Sequence, residues 1–514
     1  MNGKLGKIGY WVLFSFTTIV MGVALFAKLG AFGVCFTDEA THGVNAYEMV
    51  QNGNLWINTL RYEVDYYNTK PPLMLWLIIL GYKIFGFNAI GLRFFSALAG
   101  LITYLVLFTW VYRVRGKVQA ILFASFLPAC TGFFEFHMFR AGDMDAVYTM
   151  FFVIAMIALY NSLKNIRYML LYGIGFGLAF MTKSSHAANI IGIGILFAPF
   201  LIKLYGYKKV IIQYIVSYIA GALVLVPWVI VRFRFDGLAF FSDILFDETI
   251  GRVQGNLAEG EFVKYFFYIK QTIKEPICLI CILIILVAVL MKLIKDIRQK
   301  QSGEVVIVKE VKYLLVDPYL CLNVFWIIVV MGVYSMTKAG LDWYIYSSYI
   351  ALMLLGVEAI EYIIRNTVNR WPFMKVAFTG VLIIAAMIIS FELIRYYPWK
   401  GHGGMPIMDL HDELLQVKER AEQEYSKKTA YFESSHNVTF EPQRWEHDAM
   451  FYGVTILDLI CKDGGVQAFL ETEDKTAVLI LDKDLWETYA PVLTGHVILQ
   501  DSSYIMFSKR KYGE

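Results

Sequence analysis

Apolar residues in this chain gather into blocks of about 20, the length that crosses a bilayer as a helix. The blocks run over roughly 9–33, 92–112, 118–136, 146–162, 168–182, 187–205, 210–232, 274–292, 318–337, 343–363 and 374–395. They predict eleven membrane-spanning helices. Segment 71–88 differs: its apolar core, Leu73 to Leu80, is short, Pro71 and Pro72 precede it and Lys83 interrupts it. That pattern predicts a helix lying in the membrane interface rather than across it. Beyond Tyr397 the period changes. Charged residues return, and the pattern predicts a helix over 409–425, strands at 429–433 and 476–481, a helix at 483–489 and a strand at 497–507. The expected fold is therefore an all-α membrane domain over 1–396, followed by a small α/β domain outside the membrane over 397–514.

Composition agrees with the pattern. Of 514 residues 58% are hydrophobic and 17% charged, with a mean hydropathy of +0.55, against roughly 25% charged in a soluble chain. The net charge of +3 implies no nucleic-acid partner. Tyr, Phe and Trp are abundant, as interfacial anchoring requires. The N-terminal block is too long for a signal peptide and reads as a retained first span. Cys278-x-x-Cys281 lies within an apolar helix and reads as two small buried hydrophobes rather than a redox or metal pair. Asn437-Val438-Thr439 is a sequon whose simplest account is chance.

Basic residues set the expected sidedness. With 71–88 not crossing, Lys4 and Lys7, the loop with Arg113, Arg115 and Lys117, the pair Lys164 and Arg167, the loop from Lys203 to Lys209, the stretch from Lys292 to Lys312, and Arg365, Arg370 and Lys375 all fall on the cytoplasmic side. The outer side then receives a first loop at 34–91, a short one at 137–145, the turn 183–186, a fourth loop at 233–273, the stretch 338–342 and the C-terminal region. The expected location is the plasma (inner) membrane, multi-pass, with a cytoplasmic N-terminus and an extracytoplasmic C-terminal domain.

Charged groups at an apolar boundary are costly and invite functional readings. Thr37-Asp38-Glu39-Ala40-Thr41-His42 follows the first span. A helix starting at Thr37 places Asp38, His42, Asn45 and Met49 on one face; its acids either complement the helix dipole or supply a general base. Lys70, just before Pro71 and Pro72, is either a phosphate-binding cation at a helix start or a lysine snorkelling to the surface. Arg140-Ala141-Gly142-Asp143-Met144-Asp145 contains a D-x-D triplet on the outer side, where sugar nucleotides are absent, so a carboxylate that orients the base or the acceptor is the better reading. Lys183, Arg252 and Lys338, with Tyr344 nearby, are either charges without a role or fixed cations that stabilise a departing phosphate.

Taken in order, these motifs resemble one family, the GT-C glycosyltransferases of the protein O-mannosyltransferase and aminoarabinose lipid A transferase type, in a bacterial form. The resemblance covers about 34–365: Asp38-Glu39 after the first span, Thr69-Lys70-Pro71-Pro72-Leu73 before an interfacial helix, Arg140 with Asp145 five residues on, Thr182-Lys183, Arg252, and Lys338 with Trp343-Tyr344. It implies Asp38 as the general base with Glu39 in support, Asp145 as a second acid, and Lys70, Arg252, Lys338, Tyr344 and Lys183 around the donor phosphate; His42, Arg140 and Asp143 would serve the acceptor or support the site. It further implies transfer of a sugar from a polyprenyl-phosphate donor to a hydroxyl or phosphate of a lipid, glycan or protein, by direct displacement. The lipid A branch carries metal ligands where Thr69 and Glu261 stand here, so a divalent metal stays open, and Thr41 stands where that branch has an Arg. Two other classes remain: a lipid-linked-sugar flippase or transporter, and a ligase or polymerase using lipid-pyrophosphate donors. A transporter would not explain the acidic first loop or a folded outer tail, and the chain shows no internal repeat.

Overall fold

The computed structural model describes residues 4–34, 37–134, 137–251, 266–301, 317–337, 340–368, 372–399, 406–434 and 446–512. Arg252, Glu261, Lys338 and Asn437 lie outside the described residues. The chain divides into two compact units. One comprises Met1–Ala27, Ala97–Phe139 and Met144–Tyr396; the other comprises Lys28–Ser96, Arg140–Asp143 and Tyr397–Glu514.

The first unit is helical. A helix occupies each predicted span, and the chain is a multi-pass membrane protein. Among the described residues eight stretches are long and apolar enough to cross a membrane; one of them, Tyr168–Tyr205, bends at 184–187 into two helices. Two further apolar helices, Lys117–Ala129 and Val376–Glu392, are shorter. The first of these corrects the span predicted at 118–136, because its α-helix ends at Phe126. Pro128 has no N–H to continue the ladder, and two 3₁₀ turns follow at Leu127–Ala129 and Thr131–Phe133. The buried Glu275 carboxylate replaces the lost helical partners, accepting from the Thr131 N–H (3.0 Å), the Gly132 N–H (3.1 Å) and the Thr131 hydroxyl. Helices Tyr168–Lys183 and Tyr207–Asp236 pack backbone to backbone. A Cβ at Gly173 would stand 1.9 Å from the Ser217 carbonyl oxygen, and one at Gly177 2.5 Å from that of Gly221. This is the close approach that small residues four apart allow in a membrane. Cys278 and Cys281 are buried free thiols, as hydrophobes should be.

The second unit is mixed. It begins with helix α2 (Thr37–Asn52), starting at the predicted residue. A two-stranded ribbon follows, β1 (Thr59–Leu60) against β2 (Glu63–Val64). Helix α3 (Leu73–Phe85) comes next; its 13 residues reach about 20 Å, short of a ~30 Å hydrocarbon core. The C-terminal part carries a five-stranded sheet in the order β4-β3-β5-β7-β6, formed by β3 (Thr429–Glu433), β4 (Ile460–Cys461), β5 (Val478–Asp482), β6 (His496–Asp501) and β7 (Tyr504–Lys511). Strands β3, β4 and β5 are parallel, while β7 and β6 are antiparallel. The central β5 is buried along its whole length, which its unbroken Val-Leu-Ile-Leu run requires. Tyr431, Phe469, Leu479, Leu481, Leu493 and Phe507 pack together on one face. The strand predicted at 497–507 is in fact the β6–β7 hairpin, turned at Ser502-Ser503. A helix at Glu446–Leu457, called α17 below, and one at Gly465–Glu471 were not predicted.

Candidate functional site

Helix α2 carries two adjacent carboxylates with different fates. Glu39 is 2% exposed and grips Arg93 through both oxygens, at 2.6 and 2.7 Å. It also accepts the Gly142 N–H at 2.7 Å. Arg93 spends its remaining donors on the carbonyls of Leu29 (3.1 Å), Phe32 (2.7 Å) and Gly33 (3.0 Å), which close the turn after the first span. Such a fork-to-fork pair fixes orientation as well as charge. Asp38, one residue earlier, retains access to solvent. The sequence reading missed Arg93, although a lone guanidinium near the start of an apolar helix was the signal available.

The turn Arg140–Asp143 lies against the same helix. His42 Nδ1 is 3.3 Å from the Gly142 carbonyl oxygen and 3.8 Å from Asp143 Oδ1. Asp143 and Asp38 bring carboxylate oxygens within 4.8 Å of one another, close enough to share a divalent cation. Of the metal positions implied by the lipid A branch, Thr69 is a buried neutral hydroxyl and does not fit. Arg140 is half-buried; burial, and then the Arg93 guanidinium, pull it down to about 10, so it stays cationic at neutral pH. Asp38, Glu39, His42, Arg140 and Asp143 are thus gathered in one unit.

A buried amide network shapes the approach to Lys70. Asn45, predicted to share the Asp38 face, donates to the Thr59 carbonyl (2.7 Å) and to Asp65 (3.0 Å). Asn68 donates to Asn45 (2.8 Å), and Asn58 donates to the carbonyls of Asp65 and Asn68. Asp65 Oδ1 accepts the N–H groups of Tyr67 and Asn68, both at 2.9 Å. This leaves the half-buried Lys70 two residues beyond a fixed point.

The β1–β2 turn is strained, since Arg61 and Tyr62 both have positive φ, 57° and 64°, where Asn-Gly is usual. It is held from outside: Arg61 pairs with Asp463, and the Tyr62 N–H donates to Glu48 at 2.9 Å. Burial pushes Glu48 up to about 7 from its ordinary 4.5. The folded state therefore holds a proton that the unfolded chain has lost between pH 4.5 and 7. The unit is expected to lose stability as pH rises through that window, by on the order of 3 kcal/mol from this group. Glu48→Gln should remove that share of the dependence and stabilise the protein at pH 8. Thermal unfolding of detergent-solubilised protein across pH tests this, and an equal loss at every pH would refute it.

The remaining described site residues lie in the helical unit. Lys183, at the end of helix Tyr168–Lys183, donates to both Asp145 oxygens at 2.5 Å and sits 4.9 Å from the Tyr344 ring centroid. The chain then turns sharply at Ser184 (φ 38°). The His186 carbonyl accepts from the Tyr148 hydroxyl (2.9 Å) and the Asn189 amide (3.1 Å), and the His186 ring lies 4.9 Å from that of Tyr344. Asp145, Lys183 and Tyr344 therefore form a second group, and Asp143 belongs with α2 although only Met144 separates it from Asp145.

Residues 69–231 match a family described as dolichyl-phosphate-mannose-protein mannosyltransferase. The undecaprenyl phosphate-alpha-4-amino-4-deoxy-L-arabinose arabinosyl transferase 2 of Pseudomonas fluorescens is 26% identical over 227 residues, 41% of this chain and 39% of that protein. The polyprenol-phosphate-mannose–protein mannosyltransferase of Mycobacterium tuberculosis is 27% identical over 168 residues, 32% and 31% respectively. These alignments span less than half of either relative's own length. In fold the chain is similar to ArnT from Cupriavidus metallidurans bound to undecaprenyl phosphate, with a TM-score of 0.67, 14% identity and 98% of both chains covered. Over these stretches the chain is similar in sequence to lipid-phosphate sugar transferases of the protein mannosyltransferase and aminoarabinose transferase type, and over its whole length it shares the fold of ArnT.

Proposed function

We propose that the protein transfers a sugar from a polyprenyl-phosphate donor to an acceptor on the extracytoplasmic face of the plasma membrane, with Asp38 as general base. The observation that carries the assignment is the contrast between Asp38 and Glu39. Glu39 is committed to Arg93 and Gly142, which makes the first turn of α2 rigid. Asp38 is left accessible on that rigid turn, as a base must be to meet a substrate proton. The acceptor hydroxyl gives its proton to Asp38, its oxygen bonds to the anomeric carbon, and the bond from that carbon to the phosphate oxygen breaks. The polyprenyl phosphate leaves with the electron pair. Lys70 stabilises the phosphate charge, the role that the family resemblance also gives to Arg252, Lys338, Lys183 and Tyr344. The apolar side chains that α3 exposes, Leu80, Ile84 and Phe85, suit the interface where a donor headgroup lies. The acceptor is a lipid, glycan or protein hydroxyl or phosphate.

The named relatives use 4-amino-4-deoxy-L-arabinose and mannose on such carriers, so those two undecaprenyl-phosphate sugars are the probes. Purified protein in detergent, given a probe and envelope extract as acceptor, should release undecaprenyl phosphate. A flippase releases none in micelles, which have no second face. No release with either probe or with other polyprenyl-phosphate hexoses would refute the enzyme reading.

A further inference from the structure

The hydroxyl of Thr41, one turn beyond Thr37, donates to the Thr37 carbonyl at 2.7 Å. A hydroxyl has one hydrogen, so the contact of 2.7 Å between Thr41 Oγ1 and His447 Nδ1 requires the imidazole to be the donor. A directed chain thus runs from His447 Nδ1–H through Thr41 to the carbonyl directly before Asp38. Thr41 and His447 are both at least 95% buried, so water does not compete for these bonds. His447 comes from α17, and the two helices touch closely: a Cβ on Gly43 would stand 2.7 Å from the Phe451 ring. A second anchor joins the same partners, the Val34 N–H donating to the Tyr452 hydroxyl at 2.8 Å. Asp448, beside His447, is buried, and burial with the nearby Glu39 pushes it up to about 8. It is therefore largely protonated at neutral pH and adds little charge against the Glu39–Arg93 pair.

We propose that the C-terminal domain is part of the catalytic apparatus, with His447 a positioning residue that orients the Asp38 turn through the Thr41 hydroxyl. The proposal rests on Asp38 being the base. It predicts that His447→Leu lowers kcat per folded molecule about tenfold or more, with the donor KM unchanged, because misplacement by a fraction of an ångström is felt in the transition state. Thr41→Val, which keeps the shape and removes the hydroxyl, should match that loss, and the double variant should lose no more than either single one. His447→Asn places an amide nitrogen where Nδ1 stands and should restore most of kcat. Independently of turnover, amide hydrogen exchange at 37–41 should quicken about tenfold in His447→Leu and in Thr41→Val, but not in helix Tyr346–Ile363. Unchanged exchange at 37–41 in both variants would overturn the proposal, as would normal kcat per folded molecule. An active Asp38→Asn would instead sink the base assignment, and the exchange result would still stand.

Discussion

Asp38→Asn is expected to lower turnover by roughly 10²–10⁴-fold, the usual worth of a positioned general base, and to leave the amount of folded, membrane-inserted protein unchanged. The substitution keeps the side-chain shape. It removes the group that accepts the proton and leaves the neighbouring Glu39–Arg93 pair untouched. The measurement is undecaprenyl phosphate release per folded molecule, with the folded fraction taken from size-exclusion chromatography in detergent. Turnover within a few-fold of the unaltered protein would defeat the displacement mechanism.

The second large effect is on stability. Arg93→Met should destabilise the mixed unit by about 3–5 kcal/mol, the cost of leaving one partner of a buried ion pair alone. The Leu29, Phe32 and Gly33 carbonyls lose their donor at the same time. Glu39→Gln should be milder, since an amide can still bond Arg93. The double variant Glu39→Gln, Arg93→Met should cost less than the two single losses added together, because a stranded charge no longer remains. Limited proteolysis of the 34–91 loop and thermal unfolding both read this. An Arg93→Met protein that melts like the parent would show that the pair contributes nothing.

What could be read from the sequence was what depends on neighbours along the chain. The length and apolarity of the blocks predicted the eight stretches that, among the described residues, are long and apolar enough to span, and the short, proline-led segment 71–88 predicted α3. Thr37 marked the start of α2, and Thr429–Glu433 stood as a strand at its predicted ends. The misses share a different cause. The end of the 117–126 helix depends on Glu275, more than 140 residues away. Arg93 escaped notice because its role depends on Glu39, 54 residues earlier in the chain. The aspartates of the D-x-D triplet read as one motif but divide between two groups, because a helix begins between them at Met144. In the C-terminal region the 497–507 run concealed a turn, since Ser502-Ser503 carries neither the glycine nor the proline that usually announces one.

The bonds from Val34 to Tyr452 and from Thr41 to His447 join positions 418 and 406 residues apart. Chains emerge from the ribosome N-terminus first, so the loop bearing Asp38 is made long before the helix that braces it. On the mechanism proposed above, the protein during synthesis therefore carries an Asp38 turn that still lacks its brace. On that mechanism, catalysis is expected only once the last fifth of the polypeptide has folded, when translation is nearly over.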